Sequence, residues 1–237
     1  MRDGEIDEVL EKAARVSHPL EPALLRRITD SIGSSLQPVR PLSPTWRLAG
    51  SLFLIIAAVG VAGAARAGFY GIEKMDLLQA GLIFATLCVL AWAMAQEFVS
   101  ELIPGSRRRV TPAVLLVTTC ASLLVLFAFL FRDYRTEHFV AAGIVCLLIG
   151  ILHAIPAGLL AWLLLRRGFA VNVVSAGLVG GALAGLAGIT VLELHCVNFQ
   201  ALHILLWHTA VVPVSAALGA AVGWTLRKRS SRTATQF

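Results

Sequence analysis

Residues 171–192 read VNVVSAGLVGGALAGLAGITVL, twenty-two positions without a charged side chain. A run of this kind needs roughly 20 residues to cross about 30 Å of hydrocarbon. In lipid every backbone N–H and C=O must be satisfied inside the segment, which selects a helix. Gly177, Gly181 and Gly185 recur at i, i+4 and i+8, with Gly180, Ala184 and Gly188 beside them. That spacing predicts a face that admits another backbone closely, read here as helix packing within one chain rather than a homodimer interface. Gly60 and Gly63 in an earlier apolar run carry the same reading.

The rest of the chain agrees with this run. The sequence is 57% hydrophobic and 14% charged, with a mean hydropathy of +0.79, well outside the range of soluble domains. Six apolar stretches can be cut at charged or turn-rich breaks, near 48–66, 77–96, 112–131, 139–165, 171–192 and 204–226. The expected fold is all-α: a six-helix transmembrane domain over 47–226, preceded by a helical arm over 1–46 and followed by a basic tail over 227–237. The first span follows an acidic amphipathic segment, so it does not have the form of a cleaved signal peptide.

Orientation follows from basic residues in the short loops. One side holds Arg40, Arg47, Arg107, Arg108, Arg109, Arg166, Arg167, Arg227, Lys228, Arg229 and Arg232, and the other only Arg66, Lys74, Arg132 and Arg135. Both termini are therefore expected in the cytoplasm. The net charge of +6 is mostly this orientation signal, and the basic runs lack interleaved aromatics, so no nucleic-acid partner is inferred. The loops on the outer side are short, which excludes a bulky extracellular domain.

The arm is the part suited to a soluble protein partner. EIDEVLEKAARV, residues 5–16, sets Ile6, Val9, Leu10, Ala13 and Val16 opposite Asp7, Glu8, Glu11, Lys12 and Arg15. PLEPALLRRITDSIGSSL, residues 19–36, repeats the pattern with Leu20, Leu24, Ile28 and Ile32, and Pro22 suits a first helical turn. QPVRPLSP, residues 37–44, reads as an extended tether. Two helices this short cannot bury their stripes on each other, so they need a surface. The inner leaflet is one candidate, but an acidic first helix fits a basic protein groove better. Leu10, Leu24 and Ile28 are the expected contacts, with Glu8 and Glu11 supplying complementary charge.

Polar side chains gather where the fifth span ends, in LELHCVNFQALHILLWH, residues 192–208. Ionisable groups at membrane depth are costly unless buried in protein or functional. Cys146, Glu193, His195, Cys196, His203 and His208 belong to one leaflet, and His153 shares nearly one face of the fourth span with Cys146, roughly 10 Å further along the axis. Three readings stand side by side. A dithiol–disulfide switch would join Cys146 to Cys196. A soft-metal site, for zinc or cadmium, would use Cys146, Cys196 and His195. Alternatively, His195 and His203 are interfacial polar residues and Cys146 is packing. On an α-helix His203 and Trp207 share a face and His208 is turned about 100° from Trp207. Cys88 and Cys120, among apolar neighbours, are expected in the core. No CxxC, HExxH, P-loop or GxSxG occurs, so no enzyme is inferred.

SLQPVRPLSP at 35–44, the Cys146 region with IPAGLLAWLLLRRG at 155–168, and the Gly-rich fifth span leading into LHC at 194–196 and Trp207 together make the chain similar to the negative regulators of sigma F. These are six-span membrane anti-sigma proteins with a short cytoplasmic arm. The resemblance implies sequestration of an extracytoplasmic-function sigma factor at the bacterial inner membrane and its release on heavy-metal or oxidative stress. It also implies that Cys146 and Cys196 sense the signal, and His195, His203 and His208, from the same polar corner, are the further sensing candidates that the residues themselves suggest. Val197 and Asn198 follow the second cysteine where the family pattern often has Pro and an acid. The competing class is a small metal or solute transporter with His153 and His208 lining a path, although no inverted repeat of broken helices is visible.

Overall fold

The computed structural model describes residues 11–12, 22–35, 43–106, 110–167 and 170–234. The chain divides into two compact units, Met1–Leu42 and Ser43–Phe237. In the first, helix α1 spans Pro22–Ser35. Pro22 opens it, where a missing N–H costs nothing. Leu24, Leu25 and Ile28 form an exposed apolar stripe along one side. Glu11 and Lys12 are helical and exposed, while Glu8 and Leu10 lie outside the described residues.

The second unit is a helical bundle: α2 Thr45–Ala67, α3 Leu77–Leu102, α4 Pro112–Leu130, α5 Phe139–Arg167, α6 Val173–His195 and a long α7. Helix α7 begins at Ala201–His203, passes through a five-residue π-turn at Ile204–His208 and continues over Thr209–Ala234. No strand occurs among the described residues. All six helices have the length and hydropathy to cross a membrane. Even the 19 residues of α4 reach about 29 Å at 1.5 Å per residue.

Local chemistry sets the ends. Asp76 accepts the Gln79 N–H at 2.7 Å to cap α3, and Asn172 accepts the Ser175 N–H at 3.1 Å to cap α6. Gly68, at φ +99°, ends α2 with a backbone conformation that a side chain would strain. Helix α3 runs six residues past its expected end at 96. Glu97 and Glu101 had marked the break, yet both are buried, and the Ser175 hydroxyl donates to Glu101 Oε1 at 3.2 Å. A polar partner on a neighbouring helix lets an acid continue a span that hydropathy alone would terminate.

Helix α6 is the axis of the bundle, with 67% of its apolar window buried against 17–39% for the other five spans. Its glycines explain this. A Cβ added to Gly177 would strike the Gly219 carbonyl, one on Gly181 the Ser215 carbonyl, and one on Gly188 the Gly150 carbonyl. The glycine face thus serves packing within the chain, backbone against backbone with α7 and α5. Cys88 corrects its expectation: it faces outward on α3, and Cys120 is half-buried. Lipid and protein core are equally apolar, so sequence does not tell the two sides of such a helix apart.

Candidate functional site

The polar corner is assembled where α6 stops. Cys196 follows His195 as the C-cap, its N–H bonded to the Leu192 carbonyl at 2.7 Å. The turn after α2 presses on this end: the Gly71 N–H donates to the Leu194 carbonyl at 3.0 Å, and a Cβ at Gly71 would stand 2.7 Å from the Cys196 carbonyl and 2.9 Å from that of Glu193. Only glycine fits there. On the other side, the Ala201 N–H donates to the Asp133 carbonyl at 2.6 Å and Phe131 stacks on Phe199 with centroids 5.7 Å apart. Arg135 grips the Asp133 side chain through Nε–Oδ1 and Nη2–Oδ2 contacts of 3.0 Å each. Those hydrogen bonds hold the Asp133 carboxyl below the usual carboxylate range.

Cys146 comes from α5. One turn earlier, Gly143 lies directly under the Trp207 indole, so closely that a Cβ would fall within the ring, and Phe139 packs on Trp207 with centroids 5.7 Å apart. This indole-on-glycine seat draws α7 against α5 at the level of the cysteine.

The two histidines of α7 meet because the helix is not regular. Five α-helical residues advance about 500°, which would leave positions 203 and 208 about 140° apart. The π-turn over Ile204–His208 is wider, and i→i+5 bonding stacks residues five apart. The His203 and His208 rings therefore touch edge to face, centroids 5.3 Å apart. This corrects the regular-helix expectation that His203 shares its face with Trp207 and not with His208.

The result is a compact polar nest in an apolar bundle. The Cys146 and Cys196 sulfurs are 3.7 Å apart, and Cys196 Sγ lies 3.7 Å from His203 Nε2. His208 Nδ1 bonds Glu193 Oε1 at 2.7 Å, with both side chains fully buried. One donor atom each from Cys146, Cys196, His203 and His208 falls within 4.8 Å of all the others. His195 stands apart from these four: its ring Nδ1 is 3.2 Å from the Gly68 carbonyl and its ring packs on Tyr70 at 5.7 Å. As the last residue of α6, one position before Cys196, it points toward the α2–α3 turn. His153 Nδ1 bonds the Ile149 carbonyl of its own helix at 2.8 Å, and its ring packs over Gly63.

Two chemistries suit the nest. The sulfurs would have to close to about 2.0 Å to form a disulfide. Alternatively, two thiolates and two imidazoles are a donor set for a soft or borderline metal ion. Sequence reasoning gathered Glu193, His203 and His208 into one corner but gave Glu193 no partner. It also missed the seats at Gly71 and Gly143. Pro213, which breaks the backbone ladder one turn beyond the π-turn, was the available signal that α7 is irregular here.

A family model described as negative regulator of sigma F matches residues 33–228. The chain belongs to this family. Membership implies negative regulation of a sigma factor, and hence a sigma factor as partner, for a chain with six helices long and apolar enough to cross a membrane. No curated protein and no solved structure matches the chain. The matched segment contains all of the Cys–His nest and the final residues of α1.

Proposed function

We propose that this member of the negative regulators of sigma F is a bacterial inner-membrane anti-sigma factor. Its cytoplasmic arm holds an extracytoplasmic-function sigma factor, and a periplasmic stress signal, heavy metal or oxidant, acts at Cys146 and Cys196 to release it. It works by binding, not by catalysis. Family membership supports the sigma-factor partner, and the excess of Lys and Arg at one set of loops supports cytoplasmic termini.

The observation that carries the reading is the exposed Leu24–Leu25–Ile28 stripe on α1. An amphipathic helix of this kind docks into a groove on a partner. The arm joins the bundle at Thr45, while the nest contacts the turn beyond Ala67. The 23 residues of α2 between them cover about 34 Å.

The test is a transcriptional reporter for the sigma factor in cells carrying the full chain. Leu24→Asp with Ile28→Asp should give constitutive transcription at an unchanged level of protein in the membrane. Repression as strong as wild type in that variant would remove α1 from sigma binding.

A further inference from the structure

The nest contains more donors than a disulfide uses. Two cysteines would suffice for a redox switch, yet two buried histidines from a third segment of chain converge on them, with the buried carboxylate of Glu193 beside His208. Glu193 accepts a bond from His208 Nδ1 at 2.7 Å, which turns Nε2 the other way. That Nε2 is buried and has no hydrogen-bond partner among the described residues. A desolvated ring nitrogen without a partner is expensive in an apolar bundle, and a cation at the centre of the four donors would give it one.

The two sulfur separations agree with that assignment, and the remaining donor pairs lie within 4.8 Å, so a small inward shift would complete the tetrahedron. Metal–sulfur bonds of about 2.3 Å at the tetrahedral angle separate two thiolates by about 3.8 Å, and sulfur from imidazole nitrogen by about 3.6 Å. The sulfurs here are 3.7 Å apart and Cys196 Sγ is 3.7 Å from His203 Nε2. Charge agrees as well: a divalent ion with two thiolates and two neutral imidazoles is neutral, so the only net charge left is that of Glu193, which already accepts the His208 Nδ1–H, and a low-dielectric site tolerates this far better than an isolated ion. The carboxylate on the outer nitrogen of His208 is the usual orienting partner of a metal-bound imidazole.

We infer that Cys146, Cys196, His203 and His208 form a closed four-coordinate site for one divalent ion of the zinc–cadmium class, with Glu193 as the residue that positions His208. Binding releases the two thiol protons to solvent and forms two metal–sulfur and two metal–nitrogen bonds. With four protein ligands no coordination position remains open, so the ion clamps α5, the end of α6 and the start of α7 together instead of catalysing a reaction. For its regulatory meaning the site rests on the signal-sensing role proposed above for the two cysteines. Metal binding itself does not depend on that role.

The test uses the full chain, purified in detergent under reducing conditions, with zinc in competition against a chromophoric chelator and cobalt as a spectroscopic probe. One equivalent should bind, and the cobalt form should show thiolate charge-transfer bands with the strong ligand-field absorption of a tetrahedral S2N2 site. Cys146→Ser, Cys196→Ser, His203→Ala and His208→Ala should each weaken zinc by more than about 100-fold, because four ligands share the binding free energy. His195→Ala should bind as wild type. Glu193→Gln should lose about 10–100-fold while keeping the tetrahedral cobalt spectrum and the melting temperature of the metal-free protein, a pattern that a merely structural role would not give. Should a ligand variant fail to fold, the wild-type chain still decides the matter: zinc should protect Cys146 and Cys196 from a maleimide while outward-facing Cys88 reacts. No binding, binding that survives both histidine substitutions, or binding that requires His195 would overturn the site. If all four ligands prove necessary for zinc while sigma-dependent transcription ignores the same substitutions, the site stands and the sensing role falls.

Discussion

The two halves of the α6–α7 interface are built on opposite principles. Around Gly177, Gly181, Gly219 and Gly223 the helices meet backbone to backbone, with no side chain between them. Beyond Glu193 the same two segments separate, and the gap is filled by Glu193, Cys196, His203 and His208, joined by Cys146 from α5. The first half has one way to pack, because glycine carries nothing that can rearrange. The second is held by polar side chains whose bonding depends on protonation, oxidation or a bound ion. A seam of backbone contacts thus borders a corner whose bonding is chemically variable.

That contrast can be broken from either side. The largest effect is expected from Gly181→Val, whose added carbons would occupy the place of the Ser215 carbonyl. Overpacking usually costs about 1–3 kcal/mol and more where backbone must move. The folded, monodisperse fraction in detergent should therefore fall steeply, whereas Gly81→Ala, with nothing within 4 Å, should behave as wild type. Next, Gly143→Val should unseat Trp207 and spread the nest, seen as slower oxidative cross-linking of Cys146 to Cys196 in a protein that still inserts. Glu193→Ala removes the partner of a fully buried His208 and should cost about 1–3 kcal/mol by thermal denaturation. The smallest effect on the bundle is expected from Leu24→Asp, an exposed position where substitutions stay within about 0.5 kcal/mol. Its melting temperature should not move even as sigma repression fails. A matching loss of bundle stability would mean that α1 packs on the rest of the chain.

Much of this was legible in residue order. The glycine spacing of α6 announced a close-packed face, and the six apolar runs located the spans to within a few residues, except where Glu97 and Glu101 concealed the last turns of α3. The polar corner was visible as a cluster but not as a geometry. His195 and Cys196 are adjacent in sequence, yet they point to different partners because the Gly68–Gly71 turn draws the histidine away. His203 and His208 looked separated because a regular helix was assumed. Cys88 looked interior because hydropathy does not distinguish lipid from protein.

By itself the sequence determined that the chain is helical, carries six segments long and apolar enough to cross a membrane, and packs tightly along the fifth of them. These follow from hydrocarbon thickness, the cost of unsatisfied backbone in lipid and the small size of glycine, all of which act locally along the chain. Only the tertiary structure decided which donors meet. That outcome depends on a π-turn one helical turn before Pro213, on an indole resting on Gly143, and on Gly71 wedged under the end of α6. Each is a contact between segments distant in sequence, or a backbone irregularity stabilised by such contacts, and apart from Pro213 the local sequence carries no sign of them.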